Sequence, residues 1–260
     1  MLVGLLGSLV VGCSSSPYHA VPDAGSNAQQ PHETAAEKRR SAAQIHTELA
    51  QRYMQRGQLE EALTKLKEAL KFDAKYTPAH TVIAVLYQKI GKYDLAEQQY
   101  RAAVKLEPDQ GAVNNNLGQF LCAQGKVEES IGYFKKAVAD PFYDTPAAAY
   151  TNAGSCLMKL HQAHAAELQL QNALSLQPKD PVTLLLMAKS MVAQQDYFHA
   201  RAFIQRFDAL GSPNPAALLL GYQIEKQLGD RKATQHYLKT LRNQFPDSEQ
   251  SRSLNGLTTP

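Results

Sequence analysis

Tryptophan is absent from this 260-residue chain, and cysteine occurs only three times. Alternating runs of apolar and polar residues bounded by turn signals, which are typical of β-strands, are also missing, whereas alanine and tyrosine are plentiful. The formal net charge is only +3, with basic and acidic residues mixed along most of the chain. Because nucleic-acid binding needs a concentrated basic surface, this pattern excludes an obvious nucleic-acid partner. The composition indicates an all-helical protein.

Motifs of the common enzyme classes are missing as well. The sequence contains no Gly-rich phosphate loop, no Ser nucleophile elbow and no paired-carboxylate signature. One close histidine pair, His161 and His164, has Glu167 three residues further on. A metal-dependent enzyme built on this pair is one hypothesis, but zinc sites need three or four protein ligands. We interpret the pair as solvated turn residues and expect no enzymatic activity, no metal, no cofactor and no small-molecule substrate.

The segment 77–110 contains the pattern that the rest of the chain repeats. It reads as two short amphipathic helices, the first ended by Gly91 and the second by Pro108. Small residues at Ala84 and Ala96 allow the two helices to approach closely where they cross. The same pattern recurs in steps of 34 residues, with two additional residues in the third unit. The six units span 43–76, 77–110, 111–146, 147–180, 181–214 and 215–248. This rhythm resembles the tetratricopeptide repeat, which implies an all-α right-handed superhelix (α-solenoid).

The N-terminal segment 1–12 is an uninterrupted run of apolar and small residues. It is too short to span a bilayer, which takes about 20 residues, and it fits a secretory signal. The run ends in Val10-Val11-Gly12-Cys13, which resembles the lipobox of bacterial lipoproteins. That resemblance implies a signal peptide over 1–12, acylation of Cys13 and, because Ser14 follows, sorting to the outer membrane of a Gram-negative cell. An ordinary signal peptide, or a buried helix with an incidental cysteine, are the alternatives.

Polar and small residues dominate the segment 13–42, which we expect to be a flexible tether. A chain of this length has a root-mean-square span of about 30 Å. Glu37 to Arg40 is expected to begin the first helix. At the other end, we expect the segment 249–260 to be a solvated tail.

The remaining two cysteines, Cys122 and Cys156, are one repeat length apart and lie near the ends of corresponding first helices. Such helices pack about 8–10 Å apart, which allows a disulfide if the side chains converge. An oxidising periplasm favours the disulfide, and two buried free thiols are the alternative.

The first helices of stacked repeats line a concave groove that can bind a peptide segment of a partner. Asn115, Asn116 and Asn152 are the polar candidates because an amide can bond a peptide backbone at two points; capping or bridging between helices is the alternative for the asparagines at 114–116. The residues expected to face the groove are Gln44, Thr47, Gln51, Met54, Thr81, Val85, Gln88, Asn115, Asn116, Gln119, Thr151 and Asn152.

Two local expectations concern packing. The first helix of the fifth repeat, PVTLLLMAKSM, is almost wholly apolar, so we expect it to be the most buried. The connection ADPFYDTP after the third repeat carries Phe142 and Tyr143, which we expect to pack on a neighbouring helix.

The lipobox, the polar tether, the six repeats and the segments NNNLGQFLC, ADPFYDTP and NAGSC together resemble the type IV pilus biogenesis lipoproteins, the PilF/PilW pilotin family. The resemblance implies an outer-membrane, periplasm-facing lipoprotein that binds the type IV pilus secretin and aids its localisation and multimerisation. The alternative is a tetratricopeptide repeat adaptor for cell-wall enzymes or for outer-membrane barrel assembly.

Overall fold

The computed structural model of the chain describes residues 33–211 and 213–255, and within these ranges it contains thirteen helices and no strand. Six helix–turn–helix pairs are followed by one short helix. The pairs are α1 (Ala35–Gln55) with α2 (Leu59–Phe72), α3 (Thr77–Lys89) with α4 (Tyr93–Leu106), α5 (Gly111–Ala123) with α6 (Val127–Ala139), α7 (Pro146–Lys159) with α8 (Ala163–Leu176), α9 (Pro181–Ala193) with α10 (Tyr197–Asp208), and α11 (Pro215–Leu228) with α12 (Arg231–Gln244), before α13 (Glu249–Asn255). This is the helical solenoid that the 34-residue period predicts. None of the described helices is both long and apolar enough to cross a bilayer.

The first helix is longer than the repeat pattern indicates. It begins at Ala35, so residues 35–42 belong to a helix and not to the tether assigned to 13–42. A capping box explains this start. The Glu37 N–H donates to Thr34 Oγ1 at 3.2 Å, and the Thr34 N–H donates to Glu37 Oε2 at 2.6 Å. Of the predicted tether and signal, residues 1–32 lie outside the described ranges.

The C-terminal segment is also more structured than expected. Helix α13 lies within the predicted tail, and its Leu254 is buried against Leu218, Tyr237 and Leu241 of the last pair. The Ser251 hydroxyl donates to Phe245 O at 2.7 Å, which ties α13 to the end of α12. Residues 249–255 of the predicted tail therefore cover the open end of the stack and are not wholly solvated, whereas residues 256–260 lie outside the described ranges.

Close helix contact within each pair depends on a small residue in the first helix. A Cβ atom added to Gly118 would lie 2.8 Å from Phe134 Cε1, and one added to Gly154 would lie 2.6 Å from Leu170 Cγ. Both partner side chains are buried, so they cannot move aside. Alanine fills the equivalent place in α1, α3 and α9, and each of these alanines is fully buried.

The turn inside each pair repeats one backbone conformation. Gly57, Gly91, Gly125 and Gly229 have φ angles between 74° and 79°, in the left-handed region that glycine adopts without strain. In the fourth and fifth pairs this place is taken by His161, with φ 58°, and Gln195, with φ 61°. His161 is therefore a turn residue, as the sequence indicated.

One packing expectation is wrong, and a second is confirmed for only one of its two residues. Helix α5 has nine buried residues and α9 has six, so α9 is not the most buried first helix. Phe142 is 89% exposed, whereas Tyr143 does pack, over the backbone of Gly111 at the start of α5. The glycine is required there, because an added Cβ would lie 2.5 Å from Tyr143 Cγ. The connection thus fixes one aromatic side chain and leaves the other in solvent.

A half-buried carboxylate, that of Asp208, joins the last two pairs. The Tyr237 hydroxyl donates to Asp208 Oδ2 at 2.5 Å, and Asp208 is the last residue of α10. Burial raises the pKa of Asp208 above its ordinary value, although the hydrogen bond from Tyr237 partly opposes this. The folded protein therefore holds a proton on Asp208 at pH values where the unfolded chain has lost it.

We expect Gly118→Ala to lower the free energy of unfolding by about 1–3 kcal/mol, because the new methyl group would overlap the buried Phe134 ring. Gly132→Ala is the control, since Gly132 is inside α6 with no atom near its missing Cβ. That change is expected to raise the free energy of unfolding by about 0.5–1 kcal/mol through helix propensity. Urea unfolding of both variants measures the difference. Shifts of the same sign would contradict the close contact.

We expect Asp208→Asn to stabilise the protein near neutral pH relative to the wild type. The amide oxygen can still accept from Tyr237, and the cost of burying a charge disappears. Because the folded pKa of Asp208 is raised, its destabilising effect appears as pH rises through the unfolded pKa and is complete above the folded pKa. Urea unfolding at pH 4 and pH 7.5 should give a larger advantage for the variant at pH 7.5. An advantage that does not change with pH would refute the raised pKa.

Candidate functional site

The first helices form the inner layer of the solenoid. Helix α1 contacts α3, and α7 contacts both α5 and α9, whereas the second helices of neighbouring repeats make no comparable contacts in the described ranges. In a curved stack, the helices that approach one another most closely lie on the concave side. The concave face, here called the groove, is therefore built from α1, α3, α5, α7, α9 and α11.

The residues predicted to face the groove differ in exposure. Gln44, Gln51, Val85 and Gln119 are exposed. Six are half-buried: Met54, Thr81, Gln88, Asn116, Thr151 and Asn152. Thr47 and Asn115 are buried, with 3% and 7% of their surface exposed.

Thr47 does not belong to the groove surface, which corrects the sequence prediction. Its hydroxyl donates to Ala43 O at 2.8 Å, one turn earlier in the same helix. A threonine can satisfy its hydroxyl in this way and remain in the core. The sequence spacing predicted the correct helix for Thr47 but wrongly predicted that its side chain faces the groove.

Two of the three asparagines of α5, Asn114 and Asn115, hold the structure together. Asn114 Nδ2 donates to Pro108 O at 2.8 Å and to Gln110 O at 2.9 Å, so it caps the preceding turn. Asn115 Oδ1 accepts from Asn152 Nδ2 at 3.0 Å, which bridges α5 and α7. The capping and bridging alternative therefore describes Asn114 and Asn115.

Gln88 contacts the interior of its own repeat. Its Oε1 accepts from the Tyr100 hydroxyl at 3.1 Å. Burial raises the pKa of Tyr100 to about 12, so the hydroxyl remains a donor at any physiological pH. The amide nitrogen of Gln88 is the group left for a partner.

A polar pocket of about 240 Å³ lies in the groove between α7 and α9. Its lining residues are Gln119, Ala148, Thr151, Asn152, Gln177, Asp180 and Val182. Two of these lining residues are linked through Thr183. The Thr151 and Thr183 hydroxyls are 2.7 Å apart, and Thr183 Oγ1 donates to Asp180 Oδ2 at 2.5 Å. Three of the predicted groove residues thus meet at one pocket, with amide, hydroxyl and carboxylate groups that suit a peptide backbone.

A second pocket, of about 390 Å³, lies next to the first and shares Val182 with it. It is mostly apolar and is lined by Pro181, Val182, Leu185, Leu186, Lys189, Phe207 and Asn214. This site was not predicted from the sequence, because a nearly all-apolar helix indicates core. The repeat period indicated that Val182 and Leu185 face the groove, because they are 34 residues after Ala148 and Thr151.

The histidine pair lies at the turn between α7 and α8. His161 and His164 are both exposed. No group of three or more His, Cys, Asp or Glu side chains within the described ranges could hold an ion. The left-handed backbone of His161 accounts for its place in the turn.

Cys122 and Cys156 lie together between the third and fourth repeats. Their Cα atoms are 5.9 Å apart, and the structure joins the two Sγ atoms. Cys156 is fully buried, Cys122 is 8% exposed, and the Ser130 hydroxyl lies 3.2 Å from Cys156 Sγ. The geometry allows the disulfide that the spacing predicts. The predicted lipidation site, Cys13, lies outside the described residues.

Three family models match the chain. Two are described as tetratricopeptide repeats, over residues 81–144 and 147–180, and one as a TPR repeat, over residues 50–91. These matches agree with the paired helices and the concave inner layer. The fold and the groove together define a tetratricopeptide repeat protein, a class whose members are typically non-enzymatic adaptors that bind other proteins.

Similarity to two relatives identifies the family within this class. The crystal structure of PilW, a widely conserved type IV pilus biogenesis factor, superposes with a TM-score of 0.76 and 34% identity, and covers 82% of this chain and 97% of PilW. The type IV pilus assembly protein PilF of Pseudomonas aeruginosa is 29% identical over 210 residues, which are 81% of this chain and 83% of PilF. A solved structure of P. aeruginosa PilF gives a TM-score of 0.75 with 28% identity over 85% of this chain and 100% of that chain. The chain belongs to the PilF/PilW family of type IV pilus biogenesis proteins, as its sequence resemblance indicated.

We expect the chain purified without reductant to contain no titratable thiol at positions 122 and 156. A Cys13→Ser background leaves only these two cysteines. Thiol titration in denaturant should find no thiol before reduction and two after it. The Cys122→Ala/Cys156→Ala double variant should lose about 3–4 kcal/mol of stability, as expected for closing a loop of this length. Two free thiols before reduction would contradict the bridge.

Proposed function

We propose that the chain is an outer-membrane lipoprotein that binds the type IV pilus secretin in its groove and promotes secretin localisation and multimerisation, and thereby pilus assembly. One observation carries the proposal: 34% identity to the pilus biogenesis factor PilW over 97% of that chain. Similarity over nearly the whole length includes the helices that build the groove. Sequence identity over this length supports a shared role in pilus biogenesis, whereas a shared fold alone would not.

The lipid anchor is the first part of the mechanism. The sequence Val10-Val11-Gly12-Cys13 supports acylation of Cys13, with the protein facing the periplasm. Two or more acyl chains at one cysteine give stable membrane attachment, whereas a single chain is marginal. About 21 residues of the predicted tether lie between Cys13 and the start of α1 at Ala35.

The groove is the second part. Exposed Gln44, Gln51 and Gln119 offer amide groups, and Val85 offers an apolar contact, so the inner layer can hold an extended segment of a partner. Anchoring the groove near the membrane raises its effective concentration at the place where secretin subunits assemble. A modest intrinsic affinity is then sufficient for capture.

We expect a Cys13→Ser variant to fold normally but to fail in anchoring, because the thiol that accepts the lipid is absent. Wild type and variant are compared by co-purification from detergent-solubilised envelopes, with secretin detected by mass spectrometry and by its heat-resistant multimer on gels. Wild type should capture secretin, and the variant should show lost or mislocalised multimers. Circular dichroism of the two purified proteins provides the folding control.

Capture of cell-wall enzymes or barrel-assembly factors without secretin would overturn the pilotin proposal and support a general adaptor. Unchanged secretin multimers at the outer membrane in the Cys13→Ser strain would overturn the role of the anchor. Capture by wild type with multimers lost in the variant supports both parts together.

A further inference from the structure

We infer that the apolar pocket of the fifth repeat binds a large aliphatic or aromatic side chain of the partner, in a segment where that side chain is flanked by acidic residues. This inference rests on the proposed function, since it specifies the partner segment that the groove recognises. The second pocket, with the lining residues given above, is called here the apolar socket.

The socket occupies the same place in its repeat as the polar pocket does one repeat earlier. Both are formed by the first turns of a first helix together with the N-cap residue of the next first helix. A step of 34 residues relates their linings: Ala148 to Val182, Thr151 to Leu185, Asn152 to Leu186, and Asp180 to Asn214. The backbone frame is therefore repeated, and only the side chains change a polar pocket into an apolar one.

The apolar side chains of the socket are only partly used by the core: Phe207 is buried in it, whereas Val182 is not. Val182 is 57% exposed, whereas its neighbour Leu184 is 1% exposed and packs in the main cluster of the fifth repeat. Leu185 and Leu186 are half-buried at the edge of the same cluster. An exposed apolar surface inside a concave groove gains free energy by burying an apolar group, and a pocket of this size accommodates one large side chain.

The charge of the first helices from α3 onward, which include those beside the socket, selects the residues next to that side chain. In α3, α5, α7, α9 and α11, the exposed charged residues are all lysines: Lys89, Lys159, Lys189 and Lys226. The acid in these helices, Glu225, is 2% exposed and is neutralised by a salt bridge to Arg201. Lys189 lines the socket itself. Carboxylates that flank the apolar side chain of the partner are therefore attracted to this part of the groove, and cationic neighbours are repelled.

These observations place a docking point beyond the first four repeats. The polar pocket next to the socket supplies hydrogen-bonding groups for the adjoining backbone, and Val182 belongs to both pockets. A partner segment can thus lie across α7 and α9 with its backbone on the polar side and its apolar side chain in the socket. Lys189 then faces the acidic flank of the segment.

The test uses the purified Cys13→Ser chain and overlapping fluorescent peptides that cover the secretin subunit, followed by anisotropy titration. Val182→Ser removes apolar surface from the socket, and Lys189→Glu reverses its charge. Each should weaken the best-binding peptide by about 5- to 10-fold, from lost apolar burial or from like-charge repulsion. That peptide should contain a large apolar residue next to Asp or Glu.

Two matched controls separate the socket from general surface effects. Leu168→Ser removes an apolar side chain that is 61% exposed on α8, close to the 57% of Val182. Lys135→Glu reverses an exposed lysine on α6, a second helix. Both should change peptide affinity by less than twofold. A charge-swapped peptide, with its acidic flank changed to lysine, should bind the wild type more weakly and regain affinity for Lys189→Glu.

The same four variants are compared in co-purification of intact secretin, so that a secretin site formed only in the folded subunit is also detected. Secretin captured equally by wild type, Val182→Ser and Lys189→Glu overturns the socket and leaves the proposed function standing. Equal losses in Leu168→Ser and Lys135→Glu also overturn the socket, because location would then not matter. Absence of any secretin capture by the wild type overturns the proposed function itself.

Discussion

The close contact between the two helices of each repeat is the constraint on which the rest of the structure depends. At Gly118 and Gly154 there is no room for a Cβ atom, and alanine is the largest residue at the equivalent place in α1, α3 and α9. This contact fixes the spacing within a pair, and the left-handed turn fixes the direction in which the second helix returns. Six pairs built in the same way can only stack side by side, which leaves one helix of each pair on the inner face.

The inner face is where repeats can differ without disturbing the stack. Residues such as Leu184 and Met187 of α9 maintain the core, whereas Val182 and Leu185 contribute to the groove. Neighbouring repeats can therefore present different chemistry on the same frame. The polar pocket between α7 and α9 and the apolar socket between α9 and α11 are an example within one protein.

The sequence predicted the number and spacing of the repeats because the 34-residue pattern of small residues, glycines and prolines reflects contacts within one unit. Predictions that needed contacts between units were less successful. Asn115, for example, is paired with Asn152, 37 residues further along the chain. Thr47 is a local exception, because its hydroxyl donates to Ala43 O within its own helix and the side chain can remain buried. Hydropathy could not distinguish groove residues from core residues in α9. Val182 and Leu184 are both apolar, but only Val182 is exposed in the folded stack. Helix α13 lies outside the repeat pattern and so carried no periodic signal.

A closed bridge between Cys122 and Cys156 would also determine how the chain responds to tension. If the N-terminus is held at a membrane while a partner pulls on the C-terminal repeats, force passes along the backbone through every unit in series. With the bridge closed, the 33 residues between the two cysteines are bypassed and cannot be drawn out, which removes about 110–120 Å from the fully extended length. Stretching would then separate the repeats on either side, while α5 and α7 stay joined at the centre of the groove.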